Sequence, residues 1–101
     1  MEKRYNIEYS PSAVNDLNDI VDYIKNDSSQ SAKNFVDKVD ETISKLEYFP
    51  YMGVVPKDIR LQRLGYRVLI VENHLVFYVV IEDIVEIRRI ISGKRKYSFL
   101  L

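Results

Sequence analysis

Apolar and polar positions follow two different periods along this chain. Tyr5-Asn6-Ile7-Glu8-Tyr9 alternates, which predicts a short first strand. From Val14 onward the apolar residues recur at three and four. Val14, Leu17, Ile20, Val21 and Ile24 form one stripe, and Ala32, Phe35, Val36, Val39, Ile43 and Leu46 form a second. That spacing predicts two amphipathic helices. From Tyr66 to Ile91 the pattern changes again to three runs rich in Val, Ile, Tyr and Phe, separated by Glu72-Asn73 and Glu82-Asp83. Such residues fit a pleated, half-buried surface, and two-residue breaks suit hairpin loops, so this stretch predicts a three-strand antiparallel meander. Asn and Asp tolerate left-handed backbone, which gives each loop a candidate turn residue.

Local signals sharpen these boundaries. Ser10-Pro11 is a helix start: Ser caps the free N–H groups, and Pro suits the first helical position. Asp16, Asp19 and Asp22 lie off the apolar stripe and are expected to face water. Asn26-Asp27-Ser28-Ser29 breaks the first helix. The second should end near Tyr48, because Phe49 precedes Pro50. Two helices joined so briefly form an antiparallel hairpin. Residues 50–64, punctuated by Pro50, Gly53 and Pro56 and charged at Lys57, Arg60 and Arg63, read as the longest loop.

The predicted architecture is α+β: an N-terminal strand, then an antiparallel helix hairpin packed on an antiparallel sheet built around the meander. At 101 residues, 1–101 is expected to be a single domain. The pattern does not say where the first strand joins. On strand alternation, Leu75, Phe77, Val79 and Ile81 form a wholly apolar set expected to meet the helices. That places His74, Val76, Tyr78 and Val80 on the open face. In the last run, alternation groups Val85, Ile87, Arg89 and Ile91 toward the helices, with Glu86 and Arg88 opposite. An arginine so placed needs a carboxylate or several carbonyls, so Arg89 is expected to tie the sheet to an acid of the helix hairpin or to a loop carbonyl. Glu86 is expected to pair across strands or with Arg67.

Charge adds an asymmetry that the net value of zero conceals. Residues 1–50 hold six Lys/Arg and ten Asp/Glu, a net of −4, and residues 51–101 hold nine and five, a net of +4. From Arg88 onward there are five basic side chains and no acidic one, which suggests either a local anionic partner or a solvated tail. There are no cysteines, hence no thiol chemistry. No apolar run approaches the ~18–20 residues of a membrane span, and no signal pattern opens the chain, so a cytoplasmic protein without a membrane partner is expected. No metal-ligand cluster or phosphate-binding loop stands out, and no cofactor is expected.

The order strand, helix hairpin, loop, meander and basic tail resembles the ParE/RelE superfamily of toxins from type II toxin–antitoxin pairs, most closely the ParE branch. The likeness spans nearly the whole chain. It rests on the first strand leading into S-P-S-A-V-N-D-L-N-D-I, on Leu46 through F-P-Y-M-G, on N-H-L-V-F-Y and V-E-I-R-R-I, and on the basic tail ending in Leu-Leu. The resemblance implies a growth-inhibiting toxin neutralised by a cognate antitoxin. ParE-type members inhibit DNA gyrase, and RelE-type members cut ribosome-bound mRNA. An inactive toxin kept as a non-catalytic interaction module is a third alternative.

These readings make different demands on the residues. RNA cleavage through the 2′-hydroxyl needs a base, an acid and cations for the developing charge. His74 and Tyr78 are the candidates for proton transfer, with Arg67 and Arg95 as the cations. The resemblance matches Arg95 to a functional arginine of the RelE branch, but puts Leu75 where ribonuclease members usually carry another. His74 reads more readily as a surface residue at a hairpin edge, with Tyr78 packing a shallow concavity, because a lone histidine is not by itself evidence of catalysis. A gyrase inhibitor needs only a binding surface, for which Arg88, Lys94, Arg95, Lys96 and Tyr97 are the candidates. Antitoxin contacts are expected at Lys94, Arg95, Lys96, Phe99 and Leu100.

Overall fold

A computed structural model describes residues 3–94. The chain runs β1 (Asn6–Tyr9), α1 (Pro11–Asp27), α2 (Ser29–Ser44), a 3-10 turn (Lys45–Glu47), α3 (Ile59–Arg63), β2 (Tyr66–Val71), β3 (His74–Ile81) and β4 (Ile84–Ser92). The meander and the helix hairpin are as expected. The four strands lie in the order β1-β4-β3-β2, with β1 parallel to β4, so the sheet is mixed rather than wholly antiparallel. Two clusters of side chains, one on each sheet face, carry this α+β arrangement.

Side-chain caps set the helix ends. The Ser10 hydroxyl accepts from the Ala13 N–H at 3.1 Å and donates to the Arg88 carbonyl at 2.9 Å, so one residue starts α1 and anchors it to β4. Ser28 alone separates α1 from α2: its N–H bonds the Ile24 carbonyl, and its hydroxyl accepts from the Ser31 N–H at 3.1 Å. The hairpin loops put their left-handed residues at Glu72 and Glu82 (φ 54° and 55°), not at the neighbouring Asn73 and Asp83.

The face assignment is the main correction. Val76 and Tyr78 join Phe35, Val39, Ile43 and Leu46 in the cluster beneath the helix hairpin, with Val80 packed against it. Phe77 and Val79, with Leu75 at their margin, lie on the far face against Leu61, Tyr66 and Val68. Central β3 is buried on both faces, so an apolar set and a set containing tyrosine are each covered, by different elements. Leu61 belongs to α3, which the expected long loop 50–64 did not include. Asp58 caps α3, accepting from the Arg60 and Leu61 N–H groups at 2.8 and 3.2 Å.

A bulge changes the alternation in β4. Phe77 lies opposite Arg89 and Tyr78 opposite Ile87, leaving Arg88 as the extra residue. Ile87 and Ile90 therefore both enter the helix-side cluster, and Ile91 turns to the far face. Asp16, expected to face water, instead takes Arg89 in a two-pronged pair (Nε to Oδ2 2.7 Å, Nη2 to Oδ1 2.9 Å) and accepts the Ile90 N–H at 3.0 Å. The expected tie from Arg89 to a helix acid is thus present. It serves the stretch of β4 beyond Ile87, where β1 has ended, and the hydrogen bonds that Arg89 donates to Asp16 hold the guanidinium pKa above its ordinary value. Glu86 pairs with Arg88 on its own strand rather than with Arg67 or across strands. No helix among the described residues is long and apolar enough to cross a membrane.

Candidate interaction groove

His74 opens β3 and faces Ser92 of β4 across the ladder. Its ring stands edge-on to Phe35 of α2, with centroids 4.9 Å apart. It is neither on an open sheet face nor a bare surface residue. It forms part of the wall of a groove of ≈ 580 Å³ between α1 and the β3–β4 end, where Asp19, Ile20, Tyr23 and Ile24 face Asn73, Ser92 and Lys94. A smaller cavity of ≈ 120 Å³ continues past His74 toward Asp16 and Ile90. The imidazole Nδ1 is buried and hydrogen-bonded to none of the described residues. Burial lowers the imidazole pKa from its usual value, because the charged ring would lose water without gaining a partner.

Tyr78, four residues along the same strand, is in a different setting. It has no exposed surface, and its hydroxyl accepts the Gly53 N–H at 2.9 Å. Burial raises its pKa, against the opposing pulls of that hydrogen bond and of Arg67. Arg67 Nη1 donates to the Tyr51 and Gly53 carbonyls, each at 3.0 Å, and its guanidinium lies 5.2 Å from the centre of the Tyr51 ring. Gly53 is required here by space: a Cβ would sit 2.6 Å from the Tyr78 hydroxyl oxygen and 2.8 Å from Cε1. The F-P-Y-M-G run therefore has a physical purpose. Its glycine lets the loop backbone close on Tyr78, and its carbonyls hold Arg67.

The structure thus separates the proposed acid–base residues. Along a strand, four residues span about 13 Å, too far for His74 and Tyr78 to serve one phosphate. Tyr78 and Arg67 are committed to the loop, and Leu75 lies on the far face. Of the cleavage candidates among the described residues, His74 alone lines the groove, beside Asp19, Ser92 and Lys94. Arg88 pairs with Glu86 and reaches the Tyr66 hydroxyl at 3.5 Å, with its guanidinium 5.7 Å from the Tyr66 ring centre. Lys94 is exposed at the groove mouth. The expected contacts at Arg95, Lys96, Tyr97, Phe99 and Leu100 lie outside the described residues. Sequence reasoning missed the groove's α1 wall, although Tyr23, an aromatic residue outside the apolar stripe and between Asp22 and Ile24, was a readable signal; it is 76% exposed.

Residues 7–97 match the family model for the ParE toxin of the type II toxin–antitoxin system parDE. The chain belongs to the ParE toxin family. Membership carries with it an antitoxin partner, since the family is defined by such pairs. A similar solved structure is that of a chromosomal ParDE toxin–antitoxin system from P. aeruginosa. It is 20% identical, with a TM-score of 0.73 over 90% of this chain and 98% of that one. At that identity the likeness is one of fold. No curated protein matched the sequence.

Proposed function

We propose that this ParE-family toxin inhibits bacterial growth by binding DNA gyrase without catalysing a reaction, and that a cognate antitoxin neutralises it. The observation supporting a binding rather than a cleaving protein is the separation of His74 from Tyr78 and Arg67. With Tyr78 buried under Gly53 and Arg67 bonded to two carbonyls, two of the four groups that RNA cleavage would use are already engaged inside the fold. A binder needs only surface and charge. Lys94 supplies charge at the groove mouth, Arg95 and Lys96 extend it in the sequence, Tyr97 adds an aromatic ring after them, and Arg88 lies on the strand before them. The antitoxin covers the same basic stretch together with Phe99 and Leu100, its acidic residues meeting Lys94, Arg95 and Lys96.

The test runs a gyrase supercoiling assay beside a ribosome-dependent mRNA cleavage assay on the same purified protein. Loss of supercoiling with intact mRNA is the expected result. Defined mRNA fragments with normal supercoiling would replace the proposal with the ribonuclease reading. Activity in neither assay would point to an inactive toxin kept as a binding partner.

A further inference from the structure

β2 is one edge of the sheet, its outer side turned away from β3. Among the described residues one bridge reaches it: Val54 and Val68 each donate an N–H to the other's carbonyl at 2.9 Å. Backbone groups point alternately to the two sides of an antiparallel strand. The N–H and C=O of Ile70 therefore point the same way as those of Val68, away from β3, and no backbone bond from the described residues reaches them. The Ile70 side chain is 66% exposed. Beside it lies a groove of ≈ 280 Å³ whose walls include Val55, Pro56, Lys57 and Leu75. Soluble proteins usually guard such an edge with a lysine, a proline or a bulge. At Ile70 the strand carries none of these and presents an aliphatic side chain instead.

Charge indicates what kind of chain fits. Between residues 54 and 71 the sequence has Lys57, Arg60, Arg63 and Arg67 against the single acid Asp58, a net of +3. Pairing with a second copy would set two such segments side by side, so an acidic partner is favoured. We propose that the β2 edge at Ile70 receives a short extended segment of the antitoxin, with an aliphatic residue opposite Ile70 and acidic residues toward Lys57 and α3. Main-chain bonds at Ile70 hold the segment, and the groove selects its side chains. The proposal rests on the antitoxin-neutralised reading above and adds a second contact, on the opposite sheet edge from β1 and apart from the His74 groove.

The test measures amide hydrogen exchange on the full chain, alone and co-purified with the product of the reading frame adjoining its own. In the free protein the Ile70 amide should exchange faster than those of Leu69 and Val71, and in the complex it should slow by about tenfold or more. Ile70→Pro, which deletes the outward N–H at an edge position that tolerates proline, should weaken the complex by about tenfold or more. Ile70→Lys tests the same contact if the proline variant does not fold. A complex that forms with Ile70 unprotected, or that is indifferent to both substitutions, overturns this inference and leaves the toxin–antitoxin reading standing. If the wild-type chain forms no complex with that product, both fail. Concentration-dependent protection of Ile70 in the toxin alone would assign the edge to a second copy and overturn the antitoxin assignment.

Discussion

The two ends of β3 carry the two residues that a ribonuclease would pair, and they are built in opposite ways. At the Tyr78 end every polar group has an internal partner: the hydroxyl has Gly53, and Arg67 has two carbonyls and an aromatic ring. At the His74 end the imidazole meets an aromatic edge on one side and a groove on the other, and its Nδ1 finds no described partner. A buried polar group that is satisfied internally belongs to the fold. One left unpaired beside a groove is available to something outside it. Tyrosine and histidine, alike in the sequence as candidate proton carriers, are in this structure a structural lock and a half-buried residue in a groove wall.

Breaking the Tyr78 end should have the largest effect. Tyr78→Ala removes a large, fully buried ring and should cost about 3–5 kcal/mol, enough to unfold a small protein at growth temperature. Tyr78→Phe keeps the ring but strands the Gly53 N–H, and should cost about 1–3 kcal/mol. Urea denaturation measures both. A folded Tyr78→Phe protein should remain toxic, since the hydroxyl holds a loop and moves no proton.

A second cut at the same end comes from Gly53. Gly53→Ala forces a methyl group into the Tyr78 hydroxyl and should cost about 1–3 kcal/mol through overpacking and the lost hydrogen bond. If the double variant Gly53→Ala/Tyr78→Phe cost as much as the sum of the two single changes, the two residues would not act as one unit, and the lock would be weaker than its geometry implies.

The His74 end should respond to pH rather than to truncation. Its folded pKa lies below the usual value, so folding favours the neutral ring. The stability this contributes is complete above about pH 6.5, the unfolded value, and is lost as pH falls from there through the folded pKa. His74→Phe removes the titration and the orphaned Nδ1 together. Its urea midpoint should match or exceed that of the parent at pH 7.5, and the advantage should grow at pH 5.5. A parent whose midpoint rose on acidification relative to His74→Phe would show that a carboxylate, such as Asp19, pairs with the charged ring.

Period and punctuation made much of this fold legible. Ser10-Pro11 located the start of α1, and Glu72-Asn73 and Glu82-Asp83 the hairpins; α2 ends at Ser44, before the expected stop near Tyr48, and only the 3-10 turn Lys45–Glu47 carries on toward Pro50. Alternation showed which residues of β3 share a face, but it could not show which face the helices cover, because Phe77 and Val79 are buried too, in a cluster with Leu61. That covering helix has five residues, too few for a period; only Asp58 before Ile59 and Leu61 signalled it. The bulge at Arg88 is equally invisible to a strict two-residue repeat, so Ile91 was assigned to the wrong face while Arg89 was rightly tied to a helix acid. Of the candidate site, the basic stretch at Lys94 was readable as charge. The groove beside it was not, because it depends on α1 crossing the end of a hairpin far away in sequence.

The most direct measurement of the central claim is growth arrest by His74→Ala, expressed at the level of the parent and shown to be folded by circular dichroism. If the protein acts by binding, no proton moves, and the variant should keep its toxicity to within about tenfold, the scale of one modest contact. Loss of a positioned acid or base would instead lower the rate by about 10²–10⁴. A folded, harmless His74→Ala, together with ribosome-dependent mRNA fragments made by the parent, would contradict the account and make His74 the catalytic residue of an mRNA-cleaving toxin.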